Sequence, residues 1–418
     1  MILRFDVEVT TDDDYLLEYD FSDKDRLDSE ISIDRVRDRD MLQTSLTYFS
    51  SLRDGESSES LPPFLADIQW ERRVSPDWGG MLTFTSDLQG HYRVTNTDQT
   101  GRDVIRLGYG VNYNRNHLTN YGLLIDGNVG VQLDNYNIRD DTTFDDTLRT
   151  TTYVETSLRY PLIRRGTQAT HLLEPVAQLA WSDVNGGDIE NEDSTATEFD
   201  QSNLLSLSRF AGEDAVETGL RGALGLSWTR VASTGLDSTI TVGRVFREDA
   251  NDDFTLTSGL MGTSSDWLLA GQVLTPGNLA FDGRFLITDD FSITKAEARG
   301  VWSGDRLDMT ATFIFLPEDA DEDRTEDVVE WTIDTDYKFN DTWSAGIDAR
   351  YDVISNGPSE TGIDIGWRNE CVTVDFSVSR RFTTSTTLDA STDFGLSVGL
   401  NGFSAGRTVD SSAHRCTQ

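Results

Sequence analysis

Hydrophobic and polar positions alternate along this chain almost from one end to the other. In the stretch CVTVDFSVSRRF (371–382), Val372, Val374, Phe376 and Val378 fall on one side, and Thr373, Asp375, Ser377 and Ser379 on the other. Successive side chains of a strand face opposite sides of its sheet, so the period of two predicts a two-faced β-strand. The same period runs through Leu3, Phe5, Val7 and Val9, through Leu307, Met309, Ala311, Phe313 and Phe315, and through Val329, Trp331 and Ile333. It returns at Trp343, Ala345, Ile347, Ala349, Tyr351 and Val353. No amphipathic helix of comparable strength interrupts it, and no strand reads as apolar on both faces.

Segmenting the chain on this period gives about 21 strands, most of about 9 to 13 residues, the span of a tilted transmembrane strand. Short connections fall near 10–14, 38–40, 75–79, 116–119, 164–170, 232–235 and 368–370. They alternate with connections near 54–63, 139–147, 183–215, 248–266 and 317–327, which are longer and rich in Asp, Glu, Ser and Gly; those near 23–25 and 289–292 are exceptions. Short periplasmic turns alternating with longer outer loops are the signature of an outer-membrane barrel. The expected fold is therefore all-β: a large antiparallel transmembrane outer-membrane β-barrel over residues 1–403, followed by a periplasmic C-terminal tail, 404–418. On this segmentation the last strand ends in the periplasm and the first, at residues 1 to 9, starts outside. Because a single-chain barrel has both ends periplasmic, strands are expected to be missing on the N-terminal side.

Composition narrows the partners. With 73 acidic against 35 basic residues the net charge is -38, and the only lysines are Lys24, Lys295 and Lys338. Clustered cations for nucleic-acid phosphates are lacking. A hydrophobic content of 37% is modest for a thick core but suits a wall one strand thick, and the 10% aromatic content argues against disorder. No apolar run approaches the roughly 18 residues of a spanning helix. The two cysteines, Cys371 and Cys416, fit one disulfide in an oxidising compartment or two reduced thiols elsewhere.

Three motifs tempt a different reading. GLSVG (395–399) matches a nucleophile elbow, but Ser397 lies inside an alternating strand and only His414 follows it. Asp319, Asp321, Asp323 and Glu330 have EF-hand spacing, yet Arg324 stands where the loop needs Gly, so a solvated acidic outer loop is expected. The four histidines are dispersed, with no metal-site spacing. No catalytic group, metal or cofactor is expected. On the period-2 register, Asp126, Asp134, Asp308, Asp334, Asp348, Arg350, Asp352 and Asp375 face a polar lumen. Phe394, Leu396, Val398 and Leu400 face outward on the last strand, which forms a seam. The long connection 183–215 carries Phe199, Leu204, Leu205, Leu207 and Phe210, unusual for a solvated loop, and is expected to fold over the outer mouth.

Several stretches resemble the lipopolysaccharide-assembly family LptD, of alphaproteobacterial type: YDFSDKDRLDSEISIDRVR (19–37), HLLEPVAQLAWSD (171–183), NEDSTATEFDQSNLLSLSRFAGED (191–214), SGLMGTSSDWLL (258–269) and NECVTVDFSVSRRFTTST (369–386). The most specific part is the loop with Phe199, Asp200, Asn203, Leu204, Arg209, Phe210 and Gly212, followed by Glu217, Gly219 and Arg221. Ala215 departs from the pattern, which places an Arg there. The resemblance implies a non-enzymatic translocon component in the outer membrane. It would insert lipopolysaccharide into the outer leaflet through the lumen and a lateral seam. It implies an LptE-like lipoprotein inside the barrel, a periplasmic LptA-like bridge reached through an N-terminal β-jellyroll, and BAM machinery for insertion. It also implies that Cys371 bonds to a cysteine of that N-terminal domain, with Cys416 as an alternative partner. A diffusive porin, or a soluble β-rich enzyme or adhesin, are the rival readings of the same pattern.

Overall fold

The computed structural model describes residues 1–12, 15–18, 22, 24–53, 61–194, 196–322, 324–383 and 390–400. Among these, 21 strands form one sheet: β1 (Ile2–Asp6), β2 (Arg26–Val36), β3 (Asp40–Ser51), β4 (Phe64–Val74), β5 (Met81–Tyr92), β6 (Asp103–Leu118) and β7 (Leu124–Arg139). Then come β8 (Thr147–Arg159), β9 (Leu162–Arg165), β10 (Ala169–Asn185), β11 (Gly219–Ala232), β12 (Asp237–Arg247), β13 (Trp267–Leu274) and β14 (Leu279–Ile287). The last third holds β15 (Ile293–Ser303), β16 (Leu307–Leu316), β17 (Val328–Lys338), β18 (Trp343–Asp352), β19 (Gly357–Arg368), β20 (Val372–Arg381) and β21 (Thr392–Leu400). Every pairing is antiparallel and joins sequence neighbours, as in an up-and-down meander. β8 and β9 both pair with β10 and are one strand broken at Tyr160 and Pro161. Proline has no N–H for the ladder, so the break follows from the sequence.

The alternation sorts the two faces as expected. On β6, Ile105, Tyr109 and Val111 are exposed on one face, whereas Arg106 on the other is buried among polar neighbours. The apolar face stays exposed around the whole sheet, through Leu179, Leu224, Phe281, Trp331, Ile347, Ile363 and Phe376. A water-soluble monomer rarely exposes an apolar patch beyond a few hundred Å². This is a surface built for hydrocarbon.

The segmentation needs correcting near the N-terminus. Among the described residues no strand lies between the connections expected near 10–14 and 23–25, where there is instead a helical turn at Tyr15–Glu18. The signal is local: Leu16 and Leu17 are adjacent, and because neighbouring residues of a strand face opposite sides, the pair breaks the alternation of one apolar and one polar face. β1 therefore runs from the short-turn side to the long-loop side, and the parity argument for absent strands loses its premise. Among the described residues no ladder joins β1 to β21. Both are edges, and Phe394 and Leu396 are 72% exposed.

A second correction concerns strands apolar on both faces. β13 and β14 are so at their long-loop ends, where Leu268 and Leu286 on the polar side are buried almost completely while Leu269 and Phe285 occupy the other side. The sequence signal is the adjacent apolar pairs Leu268–Leu269 and Phe285–Leu286.

Candidate functional site: a polar face and its cap

Register fixes which residues share the polar face. Asp334 stands opposite Asp348, Asp348 opposite Gly362, Gly366 opposite Asp375, and Asp375 opposite Ser397. Following the ladders around the sheet puts Asp126, Asp134, Asp308, Asp334, Asp348, Arg350, Asp352 and Asp375 on one face. Phe394, Leu396, Val398 and Leu400 lie on the other. The acids are partly tied down. Asn114 Nδ2 donates to Asp126 at 2.8 Å, Gln132 Nε2 donates to Asp134 at 3.1 Å, and Lys338 Nζ lies 3.0 Å from Asp308. Asp352 ends β18 and accepts from the backbone N–H groups of Ile354 and Ser355, so it shapes a turn on the long-loop side.

Onto this face folds the connection from β10 to β11. Phe199, Leu204 and Phe210 are buried in a cluster with Ala223, Val245, Leu268 and Leu286 of the sheet and with Phe254 and Leu260 of the β12–β13 connection. Phe210 and Phe254 stack with ring centroids 4.1 Å apart. Glycine makes the close approach possible: a Cβ at Gly243 would lie within 2.4 Å of the Leu204 side chain. Leu205 and Ala215 pack at the edge of the cluster. Ala215, where the resemblance places an Arg, is thus an apolar contact.

Beneath the aromatic layer lies an ionic knot. Glu217 accepts from Arg209 Nη1 at 2.8 Å and from the Arg209 backbone N–H at 3.0 Å, and its other oxygen accepts from Arg247 Nε at 2.8 Å. Arg209 also donates to the Leu204 carbonyl at 2.7 Å, Arg221 Nε to the Leu207 carbonyl at 2.8 Å, and Arg247 to the Leu260 carbonyl at 3.0 Å. The Glu217 and Arg209 side chains are each 1% exposed. Burial pushes the Glu217 carboxyl up, but the two guanidiniums outweigh it and hold it below its ordinary range. Sequence reasoning picked out Phe199, Asp200, Asn203, Arg209 and Phe210 but gave no role to Glu217, on which the knot centres.

The loop is fixed at two further places. At one end Glu192 is held by Arg93 at 2.7 Å and Arg102 at 2.8 Å, and Asp214 accepts from Tyr136 Oη at 3.0 Å. At the other, Arg284 of β14 lies 3.2 Å from Asp200 and 3.3 Å from Glu198. Asn203 Oδ1 accepts from the Asp200 N–H at 3.0 Å, which tightens the turn between them. One loop touching the same face near β6, β11 and β14 requires the sheet to curl around it.

The acidic connection 317–327 does not stand free in solvent as expected. Asp319 is buried and accepts from the N–H and hydroxyl of Thr257, at 3.0 and 2.9 Å. Burial raises the Asp319 carboxyl, and these donors more than reverse it. The spacing of acids was visible in sequence; their partner, some 62 residues earlier, was not. Asp323 lies outside the described residues. So does Cys416, while Cys371 sits just before β20, at a short turn.

These features define a class: a large antiparallel β-sheet of outer-membrane barrel type, apolar outside and polar within, capped on its long-loop side. The profile of a family described as "LptD: LPS transport system D" matches residues 2–320, well over half of the chain. The chain belongs to the LptD family, a family of lipopolysaccharide transport in the outer membrane and not of enzymes. No curated protein matches it by sequence. Among solved structures it is similar to the siderophore receptor PirA from Acinetobacter baumannii, at 8% identity and TM-score 0.40, over 90% of this chain and 70% of that one. It is also similar to the FrpB iron transporter from Neisseria meningitidis, at 9% identity and TM-score 0.39, over 93% and 76%. Likenesses this distant carry no argument about cargo.

Proposed function

We propose that this chain is the barrel wall through which lipopolysaccharide reaches the outer leaflet of the outer membrane. The sugars would pass along the polar face lined by Asp308, Asp334, Asp348 and Asp375, and the acyl chains would leave at the seam between the barrel's first and last strands, the last being β21. The observation that carries this reading is the pairing of a polar, mostly acidic inner face with an edge at β21, which has a ladder only to β20 among the described residues. An acidic wall binds phosphates weakly, which favours passage over retention. Membership of the family supports the cargo.

In this reading the short-turn side and the C-terminus are periplasmic, an LptE-like lipoprotein occupies the interior, and a β-jellyroll ahead of the barrel meets an LptA-like bridge. BAM machinery inserts the barrel. Cys371, on the periplasmic side, bonds to a cysteine of that N-terminal domain, with Cys416 as an alternative or exchange partner.

The experiment is site-specific photocrosslinking of the full-length protein in cells. Probes at Phe394 and Leu396 of β21 are expected to capture lipopolysaccharide, and the protein is expected to co-purify with a small lipoprotein. A diffusive porin would do neither. Capture equal to that at Leu224 of β11, ten strands from β21, would defeat the seam.

A further inference from the structure

Among the outward-facing residues, one row is out of keeping with a chain that carries twice as many acids as bases. Arg164 of β9 stands directly opposite His171 of β10, and His171 directly opposite Arg230 of β11. By register all three face outward, as do Leu162, Leu173 and Trp228, which form the next outward row toward the middle of the sheet. His171 stacks on Trp228 with ring centroids 5.8 Å apart. Arg164 and Arg230 thus flank one histidine, two strand spacings apart, with no acid between them. Here the outward neighbours on β12 are Ser238 and Ile240, opposite Arg230 and Trp228. Among the described residues neither arginine has a carboxylate within ion-pair distance; Arg230 donates one N–H to the Leu236 carbonyl at 2.7 Å. Other arginines of the described residues do have such partners, Arg4, Arg102, Arg209, Arg247 and Arg284 among them.

The order along the strands is also telling. The row lies within three residues of the turns 166–168 and 233–236. One step of two residues, about 7 Å, separates it from the apolar and aromatic row Leu162, Leu173 and Trp228. Aromatic residues mark the level where hydrocarbon gives way to headgroups. A cationic row just beyond that level meets the phosphates, and guanidinium binds phosphate by two parallel hydrogen bonds.

We propose that Arg164, His171 and Arg230 form an outward-facing site for the headgroup of an anionic phospholipid in the leaflet at the short-turn side. The inference rests on the membrane-barrel fold and is independent of the cargo. The anion completes the charge balance that the sheet leaves open and fixes the wall at this level in the bilayer.

The test uses the full-length protein in nanodiscs of equal parts phosphatidylglycerol and phosphatidylcholine, with retained lipids counted by native mass spectrometry. Wild type is expected to retain phosphatidylglycerol preferentially, and R164Q/R230Q to lose about fivefold of that preference per arginine. R164K/R230K should keep part of it. R380Q removes an outward arginine at the opposite rim, where Arg380 lies over Phe382, and should leave the preference unchanged. Absence of a preference in wild type, its survival in R164Q/R230Q, or equal loss in R380Q would overturn the proposal. So would displacement of the phosphatidylglycerol by added lipopolysaccharide. If R164Q/R230Q lacks the heat-modifiable migration of a folded barrel, the salt dependence of the wild-type preference decides: loss at high salt supports the site, and persistence refutes it.

Discussion

Glu217→Ala is the sharpest probe of the cap. It removes the one carboxylate shared by Arg209 and Arg247, whose side chains are 1% and 5% exposed. Two buried guanidiniums would then lack their counter-charge, and breaking a buried pair in this way costs about 3–5 kcal/mol. The cost falls on the loop, because Glu217 and Arg209 both belong to it and the strands keep their ladders. The population with the loop released should therefore rise by roughly two to four orders of magnitude. Thermolysin cleavage near Phe199 and Phe210 in the folded barrel reads that population when opening and closing are fast. A cleavage rate within about threefold of the parent would refute the knot as the cap's anchor. The triple variant Arg209→Met, Glu217→Met, Arg247→Met separates charge balance from packing, since replacing a buried ionic cluster with apolar groups of like volume is often neutral. It should recover most of the protection. The pH dependence has a definite sign. A carboxyl held below its ordinary value of 4.5 stabilises the cap fully above that pH and ceases to as pH falls through its lowered folded value. Protection in wild type should thus be level from neutral pH to about 4.5 and fall only below it, and the fall should be absent from Glu217→Ala.

Phe199→Ala should cost the cap about 3–5 kcal/mol by opening a cavity in the aromatic cluster, seen as faster cleavage of the loop with unaltered heat-modifiable migration of the barrel. Phe376→Arg, on the apolar face of β20, should destabilise refolding into bilayers by about 2–4 kcal/mol. Its neighbour Asp375→Asn, on the polar face, should change it by no more than about 0.5 kcal/mol in denaturant titration. Non-reducing peptide mapping of the full-length protein should find Cys371 in a disulfide with a cysteine N-terminal to the barrel; recovery of Cys371 only as a free thiol would remove its proposed role in maturation.

The sequence by itself determined what a period of two can encode. Val374 and Phe376 were bound to one face and Asp375 and Ser377 to the other, because neighbouring side chains on a strand diverge whatever the strand pairs with. Turn and loop lengths then ordered the strands, since each pairs with its neighbour in the chain. The same reasoning exposed Phe199 and Phe210 as too apolar for a free loop. It mistook the region around Leu16 for a strand, where connection spacing was followed although alternation was absent. What it could not reach were contacts between parts brought together only when the sheet curls. Glu217 stood in a motif without a role until Arg247, 30 residues on, met it at 2.8 Å. Asp319 looked solvated until Thr257 covered it. Leu268 and Leu286 broke the alternation without showing what would bury them. The row of Arg164, His171 and Arg230 exists only in the register of three strands. Pairing across strands and burial under a loop depend on distance in space, which a local pattern does not carry.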